Sequence, residues 1–293
     1  MANVIKIKKG LDINLKGKAS DVLLNGGKSD SYAIVPDYYN GIVPKVVAKV
    51  GEKVKAGSVL MIDKNRPEIK FVSPVSGEVT AVNRGEKRKV LSMVVKPDAQ
   101  IEYEEFGKKN VASLQGAEVK EVLLNAGMWP FIKQRPYDIV ASPADEPRDI
   151  FVSAFYSAPL APNFDFVVKG QEVDFQTGLD ALAKLTDGKV YVGIRKGSSV
   201  SVKGVETVEV EGPHPAANVG VQINHIKPIN KGEVVWTVNP ADVIVIGRLF
   251  NKGIADFSRL VVITGSETTE RGYVKAIAGC TIASLVDGKI MRG

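Results

Sequence analysis

Between residues 33 and 96 the sequence consists of short alternating apolar segments, interrupted every few residues by glycine or proline. Alternation with a period of two predicts strands, and turn residues at this spacing predict a small all-β module. Glycines permit tight corners, while the valines and the leucine between them supply an inward face. The positions that carry the pattern are Gly51, Val54, Gly57, Leu60, Ser73, Pro74, Gly77 and Val79.

From about Gly116 the pattern changes to alternating helices and strands. GAEVKEVLLNAG (116–127) predicts a helix that stops at Gly127, and FQTGLDALAKLTDGK (175–189) predicts a second helix that ends at Gly188. In NPADVIVIGRLFNKG, Asn239 can cap a helix whose first residue is Pro240. Strand-like runs are YDIVAS, RDIFVSAFY, VYVGI, ETVEVEG and RLVVITG. This order predicts a Rossmann-like domain with a parallel sheet and helices on both faces.

The α/β region lacks the glycine patterns that bind nucleotides. No G-x-G-x-x-G follows a strand and opens a helix, and no G-x-x-x-x-G-K-[ST] occurs. Without close approach of a glycine backbone, a pyrophosphate has no cradle at a helix N-terminus. A dinucleotide-binding role is therefore not expected.

Composition excludes several further classes of function. The net charge is +6, but the basic runs contain no interleaved aromatic residues, which argues against nucleic-acid readout. One cysteine, Cys280, and two histidines cannot build a disulfide framework or a thiol metal site, and a reducing cytoplasm fits this usage. The N-terminus lacks the apolar core of a secretory signal, and DVIVIGRLF is far shorter than the roughly 20 residues of a membrane span.

The β module resembles the biotinyl/lipoyl carrier fold, whose two quasi-equivalent halves form flattened sheets. In that family a hairpin tip presents an acceptor lysine roughly eight residues ahead of the proline that matches Pro74. Here that position is Arg66, followed by Pro67, and neither side chain can be acylated. Lys64 lies two residues away and leaves modification as the alternative, although a hairpin lysine is usually only a solvated charge. The resemblance therefore implies a docking or packing module, with no covalently bound cofactor.

Taken together, the chain resembles the A subunit of the bacterial Na⁺-translocating NADH:quinone oxidoreductase. The resemblance extends from end to end and is carried by GMWPFIKQRPYDIVA, FVSAFYSAPLAPNFDFV, GPHPAANVGVQINHIKPINKGEVVWTVNPADVIVIGRLF and TGSETTERGYVKAIAGCTI. It implies a biotinyl/lipoyl-carrier-like barrel-sandwich domain joined to a degenerate Rossmann-like domain.

The same resemblance implies that flavin binding has been lost. In fold relatives, the C subunit of the Rnf complex and the NADH-oxidising subunit of complex I, a glycine-rich segment cradles FMN. Its counterpart here is NAGMWPFIKQRPY, in which Met128, Trp129 and Pro130 replace glycines. Bulky side chains and a missing amide would close the phosphate site, so FMN is not expected in this chain.

Four regions are expected from the sequence and the resemblance. These are an N-terminal segment (1–32), the barrel-sandwich domain (33–100), the Rossmann-like domain (101–263) and the start of a ubiquitin-like SLBB domain (264–293). Family members continue through that last domain, whereas this chain stops at DGKIMRG. We expect a chain truncated at that point.

A quinone site needs flat apolar walls and one or two hydrogen-bond donors, because the headgroup is planar and uncharged with two acceptor oxygens. The residues that offer these are Trp129, Phe131, Lys133, Arg135, Tyr137, Phe155 and Tyr156. Core packing is the alternative for the four aromatic residues other than Tyr137, and solvation is the alternative for the two basic ones. His214 and His225 are candidates for a proton relay, with backbone satisfaction as the alternative. No catalytic residue and no metal ligand is predicted.

The resemblance implies a peripheral subunit on the cytoplasmic face of the bacterial inner membrane. Its partners would be the other subunits of the complex and a quinone, with membrane contact through those subunits and no nucleic acid. Quinone handling and assembly would be its tasks, while hydride transfer and Na⁺ transport would belong to other subunits. A purely structural assembly subunit without a quinone site is the alternative.

Overall fold

The computed structural model describes residues 4–291 of the chain. Within this range the helices are α1 (Gly116–Asn125), α2 (Phe164–Val168), α3 (Glu172–Ala183), α4 (Val219–Ile226), α5 (Pro240–Lys252) and α6 (Ile282–Val286). The strands are β1 (Val4–Lys6), β2 (Leu23–Leu24), β3 (Tyr32–Ile34), β4 (Pro44–Val46), β5 (Lys53–Val54), β6 (Val59–Asp63), β7 (Lys70–Val72), β8 (Gly77–Arg84), β9 (Val90–Pro97), β10 (Ile132–Arg135), β11 (Ile139–Val140), β12 (Ile150–Ser153), β13 (Val190–Arg195), β14 (Glu206–Glu211), β15 (Val235–Val238), β16 (Ser258–Ile263) and β17 (Gly272–Ile277).

The all-β module is a sandwich of two small antiparallel sheets. One sheet has the strand order β3-β9-β8-β5 and the other has the order β4-β6-β7. Alternate side chains point inward, so that Leu60, Val79 and Met93 are completely buried between the sheets. The predicted barrel-sandwich fold is confirmed.

Arg66 holds one hairpin of this module in place through hydrogen bonds. In a carrier protein, the corresponding hairpin presents the acceptor lysine. The Nε of Arg66 donates to Oδ2 of the buried Asp63 at 2.8 Å. Its Nη1 donates to the carbonyl oxygen of Val140 at 3.1 Å, and its Nη2 donates to that of Gly41 at 3.0 Å. Because Val140 belongs to the α/β domain, this one guanidinium joins the hairpin tip to the neighbouring domain.

The α/β domain is built on a seven-stranded sheet of order β1-β14-β13-β12-β15-β10-β11. The strands from β1 to β15 in this order are parallel, whereas β10 and β11 pair antiparallel at one edge. In the sheet, β13, the next strand in the chain, lies on one side of β12, and the later strand β15 lies on its other side. The strand order therefore reverses between β12 and β15.

Helices cover both faces of this sheet, as predicted. On one face α4 packs through Ile223 against Phe151 and Val235. On the other face α3 and α5 cross closely, because a Cβ at Gly247 would lie 1.7 Å from the carbonyl oxygen of Asp174. Only a glycine at this crossing lets the two helix backbones approach.

Three predictions about individual elements need correction. RLVVITG forms β16, which pairs antiparallel with β17 in a separate three-stranded sheet with β2. YDIVAS forms the antiparallel edge strand β11 rather than a parallel one. The helix predicted for 175–189 spans Glu172–Ala183 and ends before Gly188. Alternating apolar residues specify a strand, but they do not specify its partner.

The predicted N-terminal segment contributes one strand to the seven-stranded sheet and one to the three-stranded sheet of β16 and β17. Strand β1 pairs in parallel with β14, and β2 pairs in parallel with β17. The predicted boundaries of the four regions stay predictions. None of the helices in residues 4–291 has the length and apolarity needed to cross a bilayer.

Replacing Arg66 by alanine should destabilise the chain by about 3 kcal/mol, because Asp63 would remain buried without its cationic partner. Denaturant-induced unfolding measures this change. The matched control is Lys64→Ala at an exposed position in the same hairpin, for which a change within about 0.5 kcal/mol is expected. Equal unfolding midpoints for the two variants would show that Arg66 does not hold the hairpin.

Candidate functional site

The site begins where α1 ends. Gly127, at φ +67°, closes the helix as predicted, and a single 3₁₀ turn over Trp129–Phe131 leads directly into β10. The side chains of Met128 and Trp129 are completely buried. Trp129 Nε1 donates to the carbonyl oxygen of Ala141 at 2.9 Å, and its ring meets Trp236 edge to face at 5.3 Å. Trp129 therefore lies in the core behind the site and does not line it.

Three of the predicted residues come together around the start of β10. Lys133 and Arg135 alternate with Ile132 and Gln134 along the strand, so their side chains point to one side of it. Phe131, the last residue of the 3₁₀ turn, lines the same cavity as these two side chains. Gln134 uses its amide group to bind Asp145 and the backbone of Ser142. The strand therefore separates a face that is internally satisfied from a face that is available to a ligand.

That face opens into a cavity of about 650 Å³, called here the strand-end cavity. It lies at the carboxyl ends of β12 and β15, beside the first turns of α4 and α5. Ligands of open α/β sheets bind at this place, because the crevice forms where the strand order reverses. Five predicted site residues line it, namely Phe131, Lys133, Arg135, Phe155 and Tyr156.

A second cavity of about 290 Å³, the interdomain cavity, lies between the barrel-sandwich module, the α/β domain and the start of β16. Tyr39 and Phe71 line it from the barrel side, and Phe257 and Arg259 line it from the other side. The residues that line both cavities are Phe131, Lys133 and Asp242.

Unpartnered polar atoms concentrate around these two cavities. Six buried side-chain nitrogen or oxygen atoms in the described residues lack a hydrogen-bond partner. All but Trp236 Nε1 belong to cavity-lining residues. Arg135 Nε lies 3.3 Å from Asp138 Oδ1 and Arg259 Nη2 lies 3.1 Å from Asp242 Oδ1, so these atoms are in ion pairs. Lys133 Nζ and Arg259 Nε remain without a partner. Because buried polar groups are normally satisfied, these atoms make the two cavities candidates for a ligand site.

Burial changes the ionisation of the groups around Lys133. Desolvation lowers the pKa of Lys133, although Asp138 and Asp242 oppose this shift. Desolvation raises the pKa of Asp242 against the influence of Arg259 and Lys133. Desolvation also raises the pKa of Tyr39 and of Tyr156 to about 12. Both phenols therefore stay protonated at neutral pH, and the Tyr156 hydroxyl donates to Asn239 Oδ1 at 3.2 Å.

The remaining predicted residues lie away from both cavities. Tyr137 is 81% exposed and lines neither of them. His214 Nδ1 lies 3.1 Å from Ser157 Oγ, and the exposed His225 bonds through Nδ1 to the carbonyl oxygen of Val221 in its own helix. A proton relay through these histidines stays a prediction. No group of three or more potential metal ligands occurs in the part of the chain that the structure describes.

Sequence reasoning missed Tyr39, Asp242 and Arg259. Asp242 follows the predicted cap Asn239 by three residues, so a carboxylate in the first turn of a helix that starts at a strand end was a usable signal. Arg259 stands at the start of an apolar strand, and nothing in its sequence neighbourhood indicates that it faces Asp242.

The fold defines the class as a two-domain protein in which a barrel-sandwich hybrid is joined to a Rossmann-like domain. Family models match both parts: an NqrA N-terminal barrel-sandwich hybrid domain over residues 5–98 and an NqrA second alpha/beta domain over residues 114–255. The chain belongs to the NqrA family.

Curated relatives support the same assignment. The A subunit of the Na(+)-translocating NADH-quinone reductase of Neisseria meningitidis serogroup A is 35% identical over an alignment of 293 residues, gaps included, and this alignment covers 98% of this chain. The protein of the same name from Hahella chejuensis is 35% identical over 292 residues, and that from Yersinia pestis biovar Antiqua is 34% identical over 295. These cover 98% and 99% of this chain. The chain spans 66%, 65% and 66% of the length of the three relatives, respectively.

Tyr39 and Tyr156 should ionise near pH 12, two units above the ordinary value. Their contribution to stability should be intact below about pH 10 and lost as the pH rises toward 12, because the unfolded chain ionises first. Ultraviolet absorbance titration measures the ionisation, and Tyr39→Phe and Tyr156→Phe should each remove one late step. The exposed control Tyr137→Phe should leave both late steps in place; ionisation of both phenols near pH 10 would contradict the assigned burial.

Proposed function

We propose that this chain is a quinone-binding, peripheral subunit of a Na⁺-translocating NADH:quinone reductase. The support is its membership of the NqrA family together with the chemistry of the strand-end cavity. Electron entry from NADH and Na⁺ transport are assigned to other subunits, since no redox group or ion site is predicted within this chain.

The observation that carries the proposal is the state of Lys133. Its ammonium group is buried at the end of the strand-end cavity without a hydrogen-bond partner, 5.1 Å from the ring centroid of Tyr39. Arg135 lines the same cavity and is ion-paired there, with its Nε 3.3 Å from Asp138 Oδ1. The ammonium group of Lys133 and the other N–H groups of the Arg135 guanidinium supply donors for the two carbonyl acceptors of a quinone headgroup.

The walls of the strand-end cavity suit the rest of a quinone. Phe131, Phe155 and Tyr156 provide aromatic surface for the flat ring, and the cavity is open enough to admit a substituted headgroup. A cavity that is largely apolar with a few placed donors is the usual form of a small-molecule site. In this role the chain binds and orients the quinone, while electrons arrive from a partner subunit.

FMN does not fit the segment that corresponds to a flavin cradle. Pro130 has no amide hydrogen, and the side chains of Met128 and Trp129 are buried where a phosphate would need open backbone amides. We therefore propose that this chain carries no flavin. A purified, folded chain with stoichiometric flavin absorbance would contradict this.

The location and partners form part of the same proposal. A peripheral position on the cytoplasmic face of the bacterial inner membrane, with membrane contact through partner subunits, is consistent with the names of the relatives. No nucleic-acid partner is proposed, because the basic residues are not combined with stacking aromatic side chains.

A purely structural assembly subunit is the second candidate. The bonds of Arg66 favour it, because those to Asp63 and Gly41 hold the hairpin within its own module and the one to Val140 joins it to the α/β domain. In this reading the barrel-sandwich module is a rigid docking surface and quinone binds elsewhere in the complex.

Isothermal titration of the full chain with a short-chain ubiquinone in detergent distinguishes the two candidates. Saturable binding should weaken about 10- to 100-fold in Lys133→Met and in Arg135→Gln, because each loses a charged donor. Lys133→Met should unfold no more easily than the unmodified chain, since an unpartnered buried charge is replaced by an apolar chain of similar size. The exposed control Lys64→Met should bind like the unmodified chain.

Non-saturable partition of the quinone into detergent, equal for all variants, would favour the structural candidate. Saturable binding that survives both Lys133→Met and Arg135→Gln would place the quinone outside the strand-end cavity and contradict the assignment of these donors.

A further inference from the structure

The interdomain cavity has flat aromatic walls on two sides. Tyr39 meets Phe71 edge to face at 4.8 Å on the barrel side. Phe131 meets Phe257 edge to face at 6.1 Å on the opposite side. With a volume of about 290 Å³, the cavity is at the lower limit of small-molecule sites, so its ligand has one or two fused rings at most.

Positive charge exceeds negative charge in this small space. The titratable residues that line it are Tyr38, Tyr39, Lys133, Asp242 and Arg259. Arg259 Nη2 lies 3.1 Å from Asp242 Oδ1, so these two charges offset one another. Lys133 forms no ion pair within residues 4–291 and leaves a formal charge of +1. A buried charge without a counter-ion is unfavourable, and an anion would relieve it.

Arg259 presents one free donor to such an anion. Its Nη2 lies 3.1 Å from Asp242 Oδ1, whereas its Nε is buried without a hydrogen-bond partner. Nε can therefore donate one charge-assisted hydrogen bond to a carboxylate. The guanidinium carbon lies 5.9 Å from the ring centroid of Phe131, within the range of a cation–π interaction.

We propose that the interdomain cavity binds a planar organic monoanion, an aromatic or conjugated carboxylate, through Arg259 Nε and the ammonium group of Lys133. The carboxylate supplies the counter-charge, and the flat body lies between the aromatic walls. This site shares Phe131, Lys133 and Asp242 with the proposed quinone site and differs from it in its second donor, because Arg259 lines only the interdomain cavity and Arg135 lines only the strand-end cavity.

The test is isothermal titration of the full chain with 2-naphthoate and with its neutral isostere 2-naphthamide. The carboxylate should bind at least about tenfold more tightly than the amide, because only the carboxylate neutralises the cavity and accepts charge-assisted hydrogen bonds from both Arg259 Nε and Lys133 Nζ. Equal affinities, or no saturable binding of 2-naphthoate, would overturn the proposal. This comparison uses the unmodified chain and does not depend on the folding of any variant.

Three variants locate the anion. Arg259→Gln should weaken 2-naphthoate binding about tenfold or more, whereas the exposed control Arg195→Gln should not. Asp242→Asn should strengthen binding, because it removes the one carboxylate in the cavity, and a gain of affinity cannot result from unfolding. Weakening by Arg135→Gln with no effect of Arg259→Gln would place the anion in the strand-end cavity and overturn the proposal, while leaving the quinone assignment to its own test.

Discussion

The burial of Trp129 is the contact on which the rest of the site depends. Its ring packs edge to face on Trp236, and its indole nitrogen is held by the backbone of Ala141. Truncating a buried aromatic of this kind typically costs about 3–5 kcal/mol, so the contact strongly fixes the start of β10. Once that register is fixed, Lys133 and Arg135 point to the same side of β10, because strand side chains alternate, and both line the strand-end cavity.

The residues around the two cavities lower the stability of the fold in a way that the apolar core does not. Around Lys133 and Arg259 the chain buries more positive than negative charge and leaves donors without partners, while the nearby sandwich and helix crossings are closely packed. Uncompensated charge lowers stability, and such groups commonly mark places where ligands bind. Lys133 lies between both cavities, so a ligand in either one would change its electrostatic surroundings.

The barrel-sandwich module illustrates how one residue can change the use of a fold. In a carrier the hairpin must move, and its tip must present a nucleophilic amine. Here Arg66 occupies that position and bonds to Asp63, Gly41 and Val140, so the tip joins two domains instead of swinging between them. The rigid module then forms one wall of the interdomain cavity through Tyr39 and Phe71.

The sequence alone determined the two fold classes and the caps at Gly127 and Asn239, because these depend on local periodicity and backbone preference. It placed Phe131, Lys133 and Arg135 in one short segment but did not predict the strand β10. The tertiary structure decided that β16 joins a separate sheet, that Trp129 is core rather than wall, and that Asp242 and Arg259 meet beside Tyr39. Strand partners and charge pairs join residues far apart in the chain. The positions of these partners follow from packing between domains, and the residue pattern within one segment carries no information about that packing.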